Sequence, residues 1–222
     1  MAEMKTLNGH EIVDVAARKR IENLETRMSD LLYTAIAITS FSHNAGIKEY
    51  GETVSAVTLS WAINKTPAAL TLDGASLGVS VRSKALTGLS ITMNGGKTWK
   101  LIATDERGTT AEKTTGITFY NGVYYGAAAE PTAYNSAFVL GLTKELRGSK
   151  KPSFTVTAGE GQYIYYCLPA RLGACTFAVG GFTGGFSFVD MISLTNASGY
   201  TENYYIYRSD NANLGVTSVA VS

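Results

Sequence analysis

The apolar positions near the start of the chain recur with a period close to 3.5. They are separated by steps of four, three, four and three residues: Ala17, Ile21, Leu24, Met28 and Leu31. This is the heptad spacing that lines one face of a coiled-coil helix. Arg20 and Glu25 flank the row with opposite charges at the spacing of an interchain ion pair. The pattern predicts an oligomerisation helix within residues 1–32, with these five apolar side chains as its seam.

The start of this helix is predicted at Asn8. The Asn8 side chain can cap the first turn, and Glu11, three residues later, can complete a capping box. Asp14 is a polar residue at the seam position before Ala17, where it either fixes the register of a coiled coil or lies ahead of the seam. An amphipathic helix that packs on the chain's own β body would show the same pattern, so both arrangements stay open.

From Tyr33 onward the apolar residues alternate with polar or small ones. Val57, Leu59 and Trp61 follow this period of two, as expected of a strand with one buried face. About seven short strands at such spacing between Tyr33 and Phe119 predict an immunoglobulin-like sandwich with Trp61 in its core.

Turn motifs separate these strands. Asp73-Gly74 and the segment Asp105–Gly108 favour tight turns. Asn94-Gly95 favours a hairpin that joins Leu89–Met93 to Lys97–Ala103, because both central residues of such a turn need positive φ.

Residues 120–222 continue in the same style and predict a second β-sandwich. Its strands are expected at Ser136–Leu142, Ser153–Thr157, Gln162–Leu168, Ala174–Gly180, Phe186–Leu194, Asn203–Tyr207 and Val216–Val221. The boundary is soft, since Asn121-Gly122 could itself turn a hairpin and no linker is visible. The expected fold class is mainly β: a coiled-coil helix in residues 1–32, an immunoglobulin-like sandwich in 33–119 and a C-terminal sandwich in 120–222.

Composition narrows the classes of partner. Nineteen basic and eighteen acidic side chains give a net charge of +1, so no overall field favours nucleic acid or an anionic membrane. The longest apolar stretch, Leu31–Ile38, is far shorter than the roughly 20 residues of a spanning helix. The first residues lack the pattern of a signal peptide. We expect no nucleic-acid binding and no insertion into a membrane.

The sequence contains few candidate residues for catalysis or metal binding. The histidines are His10 and His43; His10 falls in the predicted first helical turn, and His43 is interpreted as a solvated loop residue. The carboxylates outside the helix lie in no recognisable motif, and Asp73 and Asp105 are explained by turns. We therefore predict no catalytic, cofactor or metal site, and no enzyme.

The two cysteines, Cys167 and Cys175, are predicted to lie opposite each other on paired strands that flank Pro169–Gly173. In that register they could touch. The pattern leaves open whether they are buried thiols or form a disulfide bond.

Tyrosine is concentrated in the last hundred residues, often as adjacent pairs such as Tyr204-Tyr205. Neighbours on a strand point to opposite faces, so both cannot face one core. Some of these rings are therefore predicted at the surface or at an interface, where an aromatic ring with a hydroxyl suits proteins and sugars alike.

Three stretches resemble known proteins. Asn8–Arg18, followed by Ile21 and Leu24, resembles the I-x-D-x-x-A-R-x-x-I-x-x-L segment that begins the trimerising helix of many bacteriophage tail-fibre and baseplate proteins. Val54–Asp73 is similar to an immunoglobulin-like module of phage tail proteins. The stretch Asn196–Asp210 also resembles the end of such proteins.

The resemblance implies a parallel homotrimer in the tail of a phage or tailocin, assembled in the bacterial cytoplasm and attached to other tail or baseplate proteins by its N-terminal helix. Coiled-coil rules alone lean towards two strands, and the resemblance favours three. The helix is shorter than a fibre shaft, which favours a compact baseplate appendage or tail-tip protein.

A surface for a host glycan or protein is expected at the end of the chain that is opposite to the attachment helix. The predicted receptor-binding residues combine aromatic, amide and charged groups: Tyr200, Asn203, Tyr205, Tyr207, Arg208 and Asp210. For the stretch itself, the competing interpretation is an ordinary edge strand. For the protein, the alternatives are a purely structural adaptor or spacer of the tail, and a carbohydrate-binding adhesin module.

Overall fold

The computed structural model describes residues 14–222 and the backbone of residues 6–7 and 10–11. In these parts of the chain the protein is mainly β, as predicted. Two short strands, β1 (Thr6–Leu7) and β2 (His10–Glu11), pair with each other in antiparallel register. The helix α1 follows them at Val15–Leu32.

Helix α1 begins later than predicted. Its N-cap is Asp14, whose carboxylate accepts hydrogen bonds from the backbone N–H groups of Ala16 and Ala17 at 2.8 and 3.4 Å. Glu11 lies in β2, so the predicted capping box is wrong; Asn8 lies outside the described residues. Asp14 therefore marks the start of the helix, ahead of the seam.

The strands between residues 38 and 116 form the first β unit. One of them, the short strand β4 (Ile47–Glu49), pairs with a strand of the second unit. The strands of the first unit are β3 (Ile38–His43), β4 (Ile47–Glu49), β5 (Val54–Ile63), β6 (Ala69–Leu72), β7 (Ala75–Leu77), β8 (Ser83–Ile91), β9 (Thr98–Thr104) and β10 (Thr110–Gly116). Sheet β3-β5-β8 faces sheet β10-β9-β6-β7 across one apolar core. Three strands against four is an immunoglobulin-like sandwich.

The alternation in β5 is confirmed. Val57, Leu59 and Trp61 are buried, and the Trp61 indole N–H donates to the carbonyl of Val81 at 3.0 Å. A buried indole needs such an acceptor, because an unpaired N–H away from water is costly.

Two of the three predicted turns are confirmed. Asp73 and Gly74, at φ 48° and 82°, turn β6 into β7, and Asp105–Gly108 connects β9 to β10. The prediction of a hairpin at Asn94-Gly95 is wrong. Met93–Gly95 is a single 3₁₀ turn that connects β8 in one sheet to β9 in the other. Burial of both β8 and β9 on the common core outweighs the local turn preference.

The second β unit contains β11 (Thr118–Ala129), α2 (Ser136–Leu140), β12 (Thr143–Arg147), β13 (Ser153–Ala158), β14 (Gln162–Pro169), β15 (Phe177–Val179), β16 (Phe182–Thr183), β17 (Phe186–Thr195), β18 (Thr201–Ser209) and β19 (Gly215–Val221). Its main sheet has the order β12-β11-β14-β18-β17, and its second sheet has the order β13-β19-β15-β16.

One predicted strand of this unit is a helix. Residues 136–140 form α2 because Asn135 caps it, its side-chain oxygen accepting from the N–H of Phe138 at 3.0 Å. Val139 is fully buried and packs against one face of the main sheet, near Tyr165 and Tyr204. The alternating apolar residues of this segment therefore reflect a short capped helix.

Strand β11 runs unbroken through the predicted boundary at 119/120. Its first residues pair in parallel with β4, and its remainder pairs with β12 and β14. Asn121 and Gly122 lie inside this strand, so they do not turn a hairpin. The sequence preference for a turn is overridden by partners on both sides of the strand.

The main sheet of the second unit is covered on both faces. The second sheet covers one face around Tyr166 and Leu168, whereas α2 and its flanking residues cover the other around Tyr165 and Tyr204. The adjacent Tyr165 and Tyr166 are thus both buried, in different cores, whereas Tyr205, next to the buried Tyr204, is only partly buried.

The cysteines are separated by the same sheet. Strand β14 pairs with β11 and β18, and β15 pairs with β19 in the other sheet, so Cys167 and Cys175 are not cross-strand neighbours. Both are free thiols. Cys167 belongs to the α2-side core and Cys175 packs on the opposite one, so the predicted contact is wrong.

The close approach of the two β units at Gly51 can be tested with an alanine substitution. Gly51 has φ +95°, and a Cβ there would lie 2.8 Å from the carbonyl oxygen of Ser198. Gly51→Ala should lower the free energy of unfolding by about 3 kcal/mol, from backbone strain plus the clash. Urea denaturation followed by tryptophan fluorescence measures this loss.

The matched control is Gly74→Ala. Gly74 has φ +82° with nothing within 4 Å of its added Cβ, so strain alone should cost about 1 kcal/mol. Equal losses in the two variants would show that the contact between Gly51 and Ser198 contributes nothing.

Candidate interaction surfaces

The seam of α1 is exposed to solvent along the helix. Leu24 and Met28 are each 60% exposed and Leu31 is 85% exposed; Ala17 and Ile21 are partly covered. No residue of α1 is buried. The helix therefore does not pack its apolar face on the β units of its own chain, which removes one of the two arrangements that the sequence left open.

The C-terminal end of α1 is fixed to the first β unit around Tyr33. Two cations lie over the Tyr33 ring: the Lys65 ammonium, 4.7 Å from the ring centroid, and the Arg107 guanidinium, at 4.2 Å. Arg107 also donates to Asp30 Oδ1 at 2.7 Å and to the Ser29 carbonyl and hydroxyl oxygens at 3.0 and 2.8 Å. These contacts, which we call the Tyr33 clamp, set the direction in which α1 leaves the body.

Asp105 is the buried centre of the clamp. The Tyr33 hydroxyl donates to its carboxylate at 2.6 Å, Lys65 lies 3.1 Å from it, and the N–H groups of Arg107 and Thr109 donate to it at 3.0 Å. Burial raises the pKa of this carboxyl, but the hydrogen bonds and the Lys65 charge outweigh it, so the pKa lies well below its usual value. The turn motif predicts only the local role of Asp105, because the clamp also depends on Tyr33 and Lys65, which are distant in sequence.

The six predicted receptor-binding residues do not form one patch. Tyr200 lies where Gly51 of the first unit approaches Ser198 of the second, a region that we call the junction. Its ring is edge-on to Tyr50, with ring centroids 5.3 Å apart. On β18, Asn203 and Tyr205 project from one face and Arg208 from the other. The strand has partners on both sides, β14 and β17, so it is not the edge strand of the competing interpretation.

Tyr207 is buried and its hydroxyl accepts a hydrogen bond from the N–H of Cys175 at 3.1 Å. Asp210 is exposed beyond the end of β18 and accepts from the Ser187 hydroxyl at 2.7 Å. Tyr200 and Tyr207 thus have structural contacts, whereas Asn203 and Asp210 are open to solvent.

Arg208 and its neighbours form a cluster at the end of the second unit that is farthest from the junction. The guanidinium lies 4.4 Å from the centroid of the Tyr163 ring and forms an ion pair with Glu130. Tyr134 and Tyr165 lie beneath with buried hydroxyls. Burial raises the pKa of Tyr165, so this phenol stays protonated. We call Arg208, Glu130, Tyr163 and the nearby Asp210 the distal cluster.

A second surface lies on β17 and β18, on the face that the second sheet covers elsewhere. It comprises Phe188, Met191, Ser193, Asn203 and Tyr205, which we call the β17–β18 strip. Phe188 is 54% exposed and Met191 is 51% exposed. The strand was predicted from its sequence, but its exposed face was not, because β17 has apolar residues on both faces and the pattern does not indicate which face is covered.

His43 and Asp73, two residues weighed above for catalysis, both bond to neighbouring groups. His43 lies at the end of β3, where its Nδ1 accepts from the N–H of Ala45 at 3.2 Å and its Nε2 lies 3.0 Å from the Gly116 carbonyl oxygen. It is partly buried, so it is not a solvated loop residue. Asp73 pairs with Lys97 at 2.8 Å.

Within residues 14–222 and the two described N-terminal strands, no group of three or more histidine, cysteine or acidic residues is placed to hold a metal ion. The described helices include none with the length and apolar character needed to span a membrane.

No protein-family model and no curated protein matches the chain. Among solved structures, the chain is similar to the N-terminal eight immunoglobulin domains of Down syndrome cell adhesion molecule isoform 1.30.30, with TM-score 0.24 and 9% identity over 82% of this chain and 26% of that one. It is also similar to the α-L-rhamnosidase of Streptomyces avermitilis in complex with L-rhamnose, with TM-score 0.28 and 12% identity over 84% and 23%. The chain thus spans about a quarter of each structure, and similarity this low carries no argument about function.

The Tyr33 clamp should make stability depend on acid in a recognisable way. Because the pKa of Asp105 is lowered by folding, its carboxylate stabilises the protein above the unfolded-state pKa, ordinarily 3.8, and this contribution is lost as the pH falls below that value. Asp105→Asn should therefore be less stable than the unsubstituted protein at pH 7, and the difference should shrink from about pH 4 to pH 2.

Thermal unfolding across this pH range measures the difference between the two proteins. Glu160→Gln, at an exposed position, should follow the unsubstituted protein throughout. A difference for Asp105→Asn that stays constant down to pH 2 would contradict the assignment.

Proposed function

We propose that the chain is a non-enzymatic component of a phage or tailocin tail, a parallel homotrimer attached through α1 that contributes to host-surface binding at its distal cluster. The observation that carries the proposal is the exposed seam of α1. A helix with apolar side chains at heptad spacing, none of them buried on its own chain, is typical of a segment that associates with copies of itself.

The energetics of α1 support association. Its 18 residues span about 27 Å, and an isolated helix of this length is marginal in water. Burying Leu24, Met28 and Leu31 between copies removes apolar surface from water at about 25 cal/mol per Å². Arg20 and Glu25 take g and e positions, where opposite charges of neighbouring parallel helices meet.

The direction of the chain supports a binding role for the far end. The Tyr33 clamp lies at the turn between β9 and β10, at the start of β10. Strand β10 has seven residues, so its end at Gly116, beside the junction, is about 23 Å from the clamp. Strands β11 and β18 then run from the junction to the distal cluster, and the antiparallel β14 spans the same distance between them. In a particle that holds α1, this cluster is the end free to reach a cell.

The chemistry of the distal cluster suits a polar partner. A guanidinium over a tyrosine ring, together with the exposed carboxylates of Glu130 and Asp210, offers donors, acceptors and an aromatic edge in one place. Such groups can hydrogen-bond a glycan or a protein surface.

A purely structural adaptor is the second candidate, and the rigid junction favours it. Asn196 donates to the Tyr50 carbonyl at 2.7 Å, and Lys144 of the second unit donates to Glu49 of the first at 2.8 Å. Buried hydrogen bonds of this kind fix the two units relative to each other, as a spacer between two other tail proteins would need.

The assembly is tested by light scattering on the full chain. The expected mass is that of a trimer, and Ile21→Glu, Leu24→Glu and Met28→Glu together should give a monomer, because three charges per chain would be buried in the seam. The control variant, Asn23→Glu with Thr26→Glu, places charges on the other faces of α1 and should stay trimeric. A monomeric unsubstituted protein would refute the seam.

The role in a particle is tested on phage or tailocin particles from the strain that carries the gene. Mass spectrometry should find the chain in purified particles. Arg208→Ala with Asp210→Ala should reduce adsorption to host cells at least tenfold, with the trimer and melting temperature unchanged. The matched control, Lys100→Ala with Glu112→Ala, removes an exposed ion pair of the first unit and should adsorb normally. Unchanged adsorption of the first variant would favour the adaptor.

A further inference from the structure

The β17–β18 strip is an apolar and aromatic surface without a cover in the described chain. Phe188 lies opposite Tyr207, and Met191 lies opposite Tyr205, on adjacent strands. The Phe188 ring stands edge-on to Tyr205 and Tyr207, with centroids 5.7 and 5.8 Å apart. These contacts hold the rings in place and leave about half of Phe188 and Met191 in water.

The second sheet covers only part of this face of the main sheet. The second sheet reaches Phe186, which stacks on Phe177 with centroids 4.5 Å apart, and it reaches Tyr207 through the N–H of Cys175. Phe188 and Met191 lie outside that core. Their exposure is thus a consequence of where β15 and β16 end.

The strip also borders an edge of its sheet, where the N–H groups of Met191 and Thr195 donate to the side chains of Asp190 and Ser136. Strand β17 is ten residues long and is the last strand in its sheet. Long edge strands invite pairing or packing by other chains unless they are covered. None of the five strip residues is charged; Asp190 projects from the other face of the sheet, opposite Ile206. Aromatic residues and methionine without charge are the composition of an interface core.

The small size of the α1 seam indicates what covers the strip. Five seam positions on a helix of about 27 Å bury little surface, whereas a stable protein interface buries at least about 1,200 Å². A trimer started by α1 therefore needs a further contact between β units. A neutral apolar strip can meet a neighbouring copy without placing like charges together around a rotation axis.

We propose that the β17–β18 strip packs against the neighbouring copy of this chain in the trimer that α1 begins. The inference rests on the proposed trimeric assembly and adds the second contact that stabilises it. It leaves the distal cluster as the part of the second unit that is free for a receptor.

Oxidation of Met191 by hydrogen peroxide, measured by mass spectrometry of peptides, tests the cover directly. In the full-length trimer Met191 should oxidise at least tenfold more slowly than in the monomeric variant with Ile21, Leu24 and Met28 replaced by glutamate. Equal rates in a trimer and in that monomer would overturn the inference while leaving the trimer intact. A monomeric unsubstituted protein would overturn the proposed assembly and this inference together.

A second variant keeps the test independent of the seam. Phe188→Lys with Met191→Lys should weaken trimer association at least a hundredfold in a dilution series followed by light scattering. Its circular dichroism and melting temperature as a monomer should match those of the seam variant. The control, Phe182→Lys with Val216→Lys, changes two exposed apolar residues outside the strip and should leave the trimer unchanged. A trimer that resists the strip variant as well as the control would overturn the inference.

Discussion

The architecture depends on the continuous hydrogen bonding of β11. Residues 118–120 of this strand pair with β4, and residues 121–129 pair with β12 and β14. Each backbone N–H and C=O of a buried strand needs a partner, so a rotation between the units would have to break this ladder. One strand thus belongs to both β units and fixes their relative orientation.

Polar side chains close the space around β11. Glu49 is buried and pairs with Lys144 at 2.8 Å, and Asn121 and Asn196 are also buried with hydrogen-bond partners. A buried charge without its partner costs several kcal/mol, which makes the junction specific as well as tight. The Tyr33 clamp adds a second fixed joint at the other end of the first unit. The chain is therefore organised in sequence, as helix, clamp, first unit, junction and second unit.

The extent to which the main sheet is covered decides which side chains of the second unit are buried. Where α2 and the second sheet enclose the main sheet, the tyrosines contribute to cores. The hydroxyls of Tyr166, Tyr204 and Tyr207 bond to backbone groups there, as Tyr204 does to the Gly122 carbonyl at 2.8 Å. Where the second sheet ends, the same kind of residue is left exposed in the β17–β18 strip. Aromatic residues occur in both places, and the extent of the covering layer separates buried core from exposed surface.

The sequence by itself determined the elements whose causes are local. The heptad row predicted the helix, the period of two predicted β5 with Trp61 inside, and Asp73-Gly74 predicted its turn because that pair accepts positive φ. Tertiary structure decided what depends on distant partners. Asn94-Gly95 lies in a crossover between the sheets and Asn121-Gly122 lies in a strand, because strand pairing and burial outweigh the local turn preference. The clamp at Asp105, the separation of Cys167 from Cys175 and the exposed face of β17 likewise follow from which layers meet, and a period of two does not carry that information.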